Sequence, residues 1–351
     1  MNVLVTGGCG FLGSNIAASY LDDGATVVVI DALFRKGSEQ NLKWLKGHVN
    51  SKNFHFYQLD LAERSEVEEV FKRHSPFNYV CHLGGQVAMT TSLIDPERDF
   101  KTNTIGTFSV LELTRRYSPD ALLAYSSTNK VYGDLERLKY AEDDTRYSLP
   151  DYPDGLGEDL ALDFASPYGC SKGAADQYVH DWFRNYGLKT VVFRHSSIYG
   201  GRQFSTKDQG WIGWFCQQAL AQKHSYLQGD KPVGFTISGS GKQVRDVLHA
   251  EDLVRLYHAV YECRETVSGE IFNIGGGFVN SLSLLELFSL LQDLLGMGSG
   301  QQLIFRKIER RQSDQDVFIA NIDKIKKMTG WEPLVSSQDG IRKMLQWTDG
   351  L

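Results

Sequence analysis

Tyr168 and Lys172 stand four residues apart in Ser166-Pro-Tyr-Gly-Cys-Ser-Lys172, a pair suited to taking a proton from an alcohol. Ser166 is a favoured N-cap and Pro167 a favoured first helical residue, so the segment reads as a helix opening. On a helix, residues four apart project from one face. A free phenol ionises at a pH of about 10, too high for a base at neutrality. An ammonium beside it favours the phenolate. Upstream, Tyr125-Ser-Ser-Thr128 closes an apolar run, and the Thr128 hydroxyl is a candidate for hydrogen-bonding the same substrate oxygen. A Tyr-x-x-x-Lys spacing by itself also fits an ordinary salt-bridging helix face. Its weight comes from what precedes it in the chain.

What precedes it is a glycine turn. Val3-Leu-Val-Thr6 runs into Gly7-Gly-Cys-Gly10-Phe-Leu-Gly13, and a helical pattern follows. Glycine permits the tight turn, and a bare backbone lets a pyrophosphate approach the helix N-terminus. Between a first strand and a first helix this is a strong dinucleotide signal. Asp31 closes the second apolar run, 18 residues after Gly13. A carboxylate there accepts the adenosine ribose hydroxyls and repels a 2′-phosphate, which favours NAD over NADP. Arg35 and Lys36 nearby work against that preference, and Asp31 as a plain loop cap is the alternative. Asp60, after the third run, falls where the adenine should lie. A positive nicotinamide ring would add to the pull on the phenol, and hydride would leave the alcohol carbon for NAD as Tyr168 takes the proton.

The elements that must position these groups alternate. Val3–Val5, Thr26–Ile30, Phe54–Gln58, Tyr79–His82, Leu122–Ser126 and Thr190–Arg194 read as strands. Leu12–Leu21, Ser65–Arg73, Asn103–Tyr117 and Pro167–Tyr186 read as the helices between them. This order implies an α/β fold, a doubly wound parallel Rossmann sheet whose ligands bind at the carboxyl strand ends. The second half is a smaller mixed α/β C-terminal substrate lobe. Its strand-like runs lie near Gly234–Ile237, Val244–Leu248, Ile271–Ile274 and Val317–Ala320, and Ser283-x-x-Glu286 opens a Leu-rich core helix as a capping box. Residues 1–195 with about 244–278 are assigned to the dinucleotide-binding domain. About 196–243 and 279–351 are assigned to the substrate lobe. The acidic stretch Asp134–Asp163 lacks periodicity and reads as a solvated loop, with a cover for the site or a subunit contact as the alternative.

The bulk numbers exclude several classes. Lys plus Arg total 37 against 43 for Asp plus Glu, a net charge of −6, which gives no basic surface for nucleic acid or an acidic membrane. Five cysteines without a C-x-x-C argue against a disulfide framework or zinc site and fit a reducing compartment. No secretory signal opens the sequence, and the longest apolar run, Leu282–Leu295, is interrupted by polar residues. A cytoplasmic protein is expected, with no metal and no membrane partner.

Taken together, Thr6-Gly7-x-x-Gly10-x-x-Gly13, Asn103, Ser126-Ser-Thr128 and Tyr168-x-x-x-Lys172 resemble the extended short-chain dehydrogenase/reductases acting on nucleotide sugars. The resemblance covers essentially the whole chain. It implies Thr128, Tyr168 and Lys172 as catalytic residues. It implies a cofactor set of Gly7, Gly10, Phe11, Leu12, Gly13, Asp31, Arg35, Asp60, Leu61, Leu83, Gly84, Gly85, Asn103, Ser126, Tyr168, Lys172 and His195. On the substrate side it implies Thr128, Asn129, Ser197, Gln209, Trp211, Thr236, Ser238, Arg245 and Arg311, with the two arginines on the diphosphate, whose oxygens guanidinium suits. A homo-oligomer, dimer or tetramer, is expected on the same ground. The chain departs from the pattern at His82-Leu-Gly-Gly-Gln86, where relatives commonly carry alanines; small residues still admit the nicotinamide side.

The Thr-Tyr-Lys set serves dehydrogenases, epimerases and dehydratases of this family alike. The 4,6-dehydratases place an Asp-Glu pair directly after the Thr, whereas Asn129-Lys130 stands here. Gly85–Ser92, Ser126–Asp134, Ser166–Tyr178, Phe193–Phe204 and Asp208–Cys216 are spelled like the 2-epimerases of CDP-sugars. A CDP-linked sugar is therefore the implied substrate, epimerised at C2 through a keto intermediate. A CDP-glucose 2-epimerase, a UDP-sugar 4-epimerase and a catalytically silent NAD-binding protein remain the alternatives.

Overall fold

The computed structural model describes residues 1–298, 300–310 and 313–351. Seven strands form a parallel sheet: β1 (Asn2–Thr6), β2 (Thr26–Ile30), β3 (Phe54–Tyr57), β4 (Tyr79–His82), β5 (Leu122–Thr128), β6 (Thr190–His195) and β7 (Glu270–Ile274). Their order across the sheet is β7-β6-β5-β4-β1-β2-β3. The β-branched and apolar runs are buried on both faces, as a parallel sheet demands. Val3, Val5, Val27 and Val29 point into one core, and Leu4, Val28, Ile30 and Val80 into the other. The winding reverses between β1 and β4, which opens a crevice at their carboxyl ends.

Three helices carry the groups of interest. The first, α1 (Phe11–Asp22), follows the glycine turn; α2 (Gly106–Tyr117) follows a π-helical turn at Lys101–Ile105; α3 (Pro167–Tyr186) spans 20 residues. Ser166 caps α3 by accepting the Gly169 N–H, with Pro167 at the first position, as the sequence requires. The expectation that one helix begins at Asn103 is corrected: Asn103 sits in the wider π turn, a geometry that recurs at functional sites.

The lobe has two small sheets. Val244–His249 pairs with Ser197–Tyr199, Ser281–Ser283 and Val317–Phe318, while Phe235–Ser238 pairs with Phe305–Ile308. Residues 244–278 therefore do not stay together: Val244–His249 lies in a lobe sheet, and β7 joins the large one. The capping box at Ser283 and Glu286 is formed in both directions, and Leu287, Phe288 and Leu291 are buried behind it. The acidic 134–163 stretch is not a freely solvated loop. Leu135, Leu149 and Leu156 pack with Val131, Val244 and Phe318, and Leu156 bridges Ala320. Its apolar residues are spaced irregularly because they fill a gap between sheets, so no period revealed them. The five cysteines are all free, and among the described residues no helix is long and apolar enough to cross a membrane.

Candidate functional site

A cleft of about 660 Å³ opens along the carboxyl ends of β1, β2, β4, β5 and β6. Its first wall is the glycine turn. Gly7 has φ +67°, and a Cβ there would lie 2.8 Å from the Gly84 Cα, so the ends of β1 and β4 touch backbone to backbone. A Cβ on Gly13 would sit 2.2 Å from the Gly7 carbonyl oxygen, which closes the helix onto the turn. At Gly10 only the Gly7 carbonyl comes near, at 3.1 Å, and the position faces the cleft. Gly10 is the N-cap of α1, with no side-chain cap. The Phe11, Leu12 and Gly13 amides thus stand at an uncapped helix start, an arrangement that suits a phosphate.

Asp31 directly follows β2. Its carboxylate accepts the Cys9 N–H at 2.9 Å and the Leu33 N–H at 2.7 Å, tying it to the turn. Burial raises its pKa, and the backbone N–H groups oppose that rise. Asp60, Leu61, Leu83, Gly84, Gly85 and Arg35 line the same stretch. Burial lowers the Arg35 pKa, with Asp208 opposing.

At the other end, Thr128 closes β5 and Tyr168 opens α3, and both line the cleft, with Thr128 near enough to act on the phenol. The phenol is buried, and burial pushes it up to about 12, opposed by Thr128 and Arg35. The Lys172 ammonium does not act on the phenol in the way the spacing suggested. It donates to the Ser126 carbonyl at 2.5 Å and lies 4.3 Å from the centre of the Tyr125 ring. Burial brings it down to about 7, against the pull of Asp176 and Asp99. Lys172 is therefore one turn behind the phenol, beneath the cleft floor. Asn103 is buried too: its Oδ1 accepts the Gln86 N–H at 2.8 Å and its Nδ2 donates to Ser171 Oγ at 3.0 Å. Ser126 lines the cleft with Thr128 and Asn129. His195 ends β6 directly beside Thr128. Neither of its ring nitrogens has a partner, and burial first, then Lys172, lowers it to about 3, so the imidazole is neutral.

On the substrate side, Ser197, Gln209 and Trp211 line the cleft, and the Trp211 indole donates to Ser197 Oγ at 3.1 Å. Trp214 packs into the lobe core instead. Thr236, Ser238 and Arg245 do not line the cleft. Arg245 pairs with Asp314 at 2.8 Å and donates to the Gln315 carbonyl at 2.8 Å. Arg311 lies outside the described residues.

Several cleft residues escaped the sequence reading. Arg202, in a left-handed conformation at φ +69°, has its guanidinium 4.1 Å from the Trp44 ring centre and 4.9 Å from that of Trp347. Phe204 fills the space where a Gly37 side chain would be. With Asp208 they bring a lobe segment over the wall that carries Asp31. The Gly200-Gly201 pair was the available signal, since such a pair allows a sharp reversal. Gln86 was noticed only as a departure from pattern.

Residues 3–275 match the model of the NAD dependent epimerase/dehydratase family. Among characterised proteins, the chain is 51% identical to CDP-paratose 2-epimerase of Salmonella typhi over all of both chains. Among solved structures it resembles UDP-glucose 4-epimerase of Thermotoga maritima with UDP-glucose, with a TM-score of 0.81 and 29% identity over 100% of this chain and 99% of that one. It also resembles dTDP-glucose 4,6-dehydratase of Bacillus anthracis in complex with NAD, with a TM-score of 0.76 and 26% identity over 100% and 97% of the two chains. Seven parallel strands with a glycine turn after the first, an acid after the second and a Thr-Tyr pair at the cleft floor agree with that match: the chain belongs to the NAD dependent epimerase/dehydratase family.

Proposed function

We propose that the protein is an NAD-dependent epimerase that inverts C2 of a CDP-linked sugar, interconverting CDP-paratose and CDP-tyvelose. The observation that carries the chemistry is that Thr128 and Tyr168 line the same cleft as Asp31 and the uncapped start of α1. The choice of CDP and C2 is supported by full-length likeness to CDP-paratose 2-epimerase of Salmonella typhi. An NAD-sized ligand fits what this chain offers: Gly10 leaves the turn open, the Asp31 carboxylate lines the cleft beside it, and His195 brings two unpartnered ring nitrogens to the far end.

In this reading the α1 amides take the pyrophosphate, Asp31 the adenosine ribose, and Asn103, Lys172 and His195 the nicotinamide side. NAD supplies a reversible hydride acceptor. Tyr168 takes the proton of the C2 hydroxyl at its phenolic oxygen, with Thr128 holding the same sugar oxygen, and later returns the proton. Lys172 fixes the helix by its bond to the Ser126 carbonyl. Thr128, Asn129, Ser197, Gln209 and Trp211 surround the sugar nucleotide, with Thr236, Ser238, Arg245 and Arg311 proposed to meet it from the lobe. The sugar half must turn over between the two half-reactions, so only the nucleotide half is gripped. Elimination of water is disfavoured: Lys130 follows Asn129 where an acid is needed, and burial lowers that lysine to about 8.

Exposed Tyr178, Phe183 and Tyr186 on α3 support association with a second copy of the chain, as a dimer or tetramer; light scattering on the purified protein reads this directly. The substrate reading is tested by incubating the enzyme with CDP-paratose, CDP-glucose and UDP-glucose. A new C2-epimer from CDP-paratose is expected. A product altered at C4 of UDP-glucose, with CDP-paratose untouched, overturns the assignment.

A further inference from the structure

A buried carboxylate that the reaction scheme above leaves unused lies next to its two ionisable residues. Asp99, in the short helix Pro96–Phe100, is 0% exposed. Three donors converge on it: the Ser171 hydroxyl, Gln86 Nε2 at 2.7 Å and Asn103 Nδ2 at 3.3 Å. Ser171 lies between Tyr168 and Lys172 on α3, and Asn103 also donates to Ser171 Oγ and to the Gln86 carbonyl. The π turn at Lys101–Ile105 directly follows the helix that carries Asp99. Asp99 forms no ion pair among the described residues, and a buried carboxylate without one is costly. Burial raises its pKa, and the three donors and the Lys172 ammonium oppose that rise.

We propose that Asp99 is a positioning residue of the reaction: it serves as the counter-ion of Lys172 and, through Ser171 and Asn103, fixes the floor on which the Tyr168 phenol stands. The inference rests on the reading of Tyr168 as the acid–base group. Hydrogen-bond donors converging on a carboxylate favour its ionised form. Burial first, and Asp99 in addition, raises the Tyr168 phenol. The other groups facing this pocket are accounted for. Asp176, on α3, shares its charge with Arg194 of β6 at 2.9 Å. His195 of β6 and His82 of β4 are held neutral by burial, each at about 3. Tyr125 of β5 is pushed up by burial, and Arg35 beyond β2 acts on the phenol. Among the described residues, Asp99 is the carboxylate outside α3 that acts on both Lys172 and Tyr168.

The test is the pH profile of turnover by the NAD-loaded enzyme, wild type against Asp99→Asn and Asp99→Glu. Removing a negative charge lowers the pKa of the ammonium and of the phenol together. Both limbs of the Asp99→Asn profile should move to lower pH, by about one unit, with Asp99→Glu restoring their positions. A lower rate with both limbs in place means a merely structural acid and overturns the inference. Should Asp99→Asn not fold, Asp99→Ser, small enough to admit a water to the three donors, reads the same shift. Failure of both neutral variants to fold while Asp99→Glu folds also overturns it. Absence of turnover in the wild type overturns the Tyr168 reading and this one with it, whereas turnover with an unmoved Asp99→Asn profile overturns this one alone.

Discussion

The Lys172 ammonium donates to the main-chain carbonyl of Ser126 at 2.5 Å, which pins the second turn of α3 to the end of β5. That bond sets Tyr168 against Thr128, two residues beyond Ser126 on the strand. The lysine is thus both a charge and a fastener, and the phenol inherits its position from a strand end.

Removing the phenolic oxygen while keeping the ring should abolish proton transfer and little else. Tyr168→Phe is expected to lose about 10²–10⁴-fold in turnover while its circular dichroism and bound NAD stay as in the wild type. A variant that keeps wild-type turnover would show that the proton travels elsewhere.

The two glycines of the turn should respond differently. Gly10→Ala has an ordinary φ of −70° and a Cβ that enters the cleft, so the protein should fold and lose bound NAD. Gly13→Ala places its Cβ 2.2 Å from the Gly7 carbonyl and should lose both NAD and thermal stability. Absorbance at 260 nm after denaturation, together with a melting curve, separates the two; equal melting losses would contradict the assignment of Gly10 to the open side.

Asp31 faces the ribose in this account. Asp31→Asn should retain less NAD after dialysis, by about tenfold or more, given about 1.5–3 kcal/mol for a hydrogen bond to a charged group. Unchanged retention would place the adenosine elsewhere.

Asp246 offers a stability test far from the chemistry. It is fully buried, Oδ1 has no partner, and burial raises it to about 6 from an ordinary 3.8. An acid held above its unfolded value takes up a proton on folding, so the wild type loses stability as pH rises from about 4 to about 6, by at most about 3 kcal/mol. Asp246→Asn escapes that loss. Its stability relative to wild type should therefore improve between pH 4 and 7 in urea melts; a pH-independent difference would refute the raised pKa.

Much of the fold was legible because its signals are local. The glycine turn, the Ser166-Pro167 start of α3 and the Ser283/Glu286 capping box each declare themselves within a few residues, and the structure forms all three. Long-range features did not. Asp99 is an unremarkable acid in sequence until folding brings Gln86, Asn103 and Ser171 around it. Arg202 gains its place from Trp44, Trp347 and the Asn41 amide, which lie far away in the chain. The 134–163 stretch looked solvated because acids outnumber its leucines, yet those leucines seal a core between sheets. Spacing puts Tyr168 and Lys172 on one helix, as the structure has them, but does not reveal that the lysine reaches back to Ser126.

The central claim is that C2 of the sugar is oxidised and then reduced from the opposite face with its own hydrogen. It is tested most directly by proton NMR of CDP-paratose incubated with the enzyme in deuterium oxide. The account predicts a mixture of two CDP-sugars differing only at C2, each still carrying protium there. Deuterium at C2, or no second sugar at all, would contradict it.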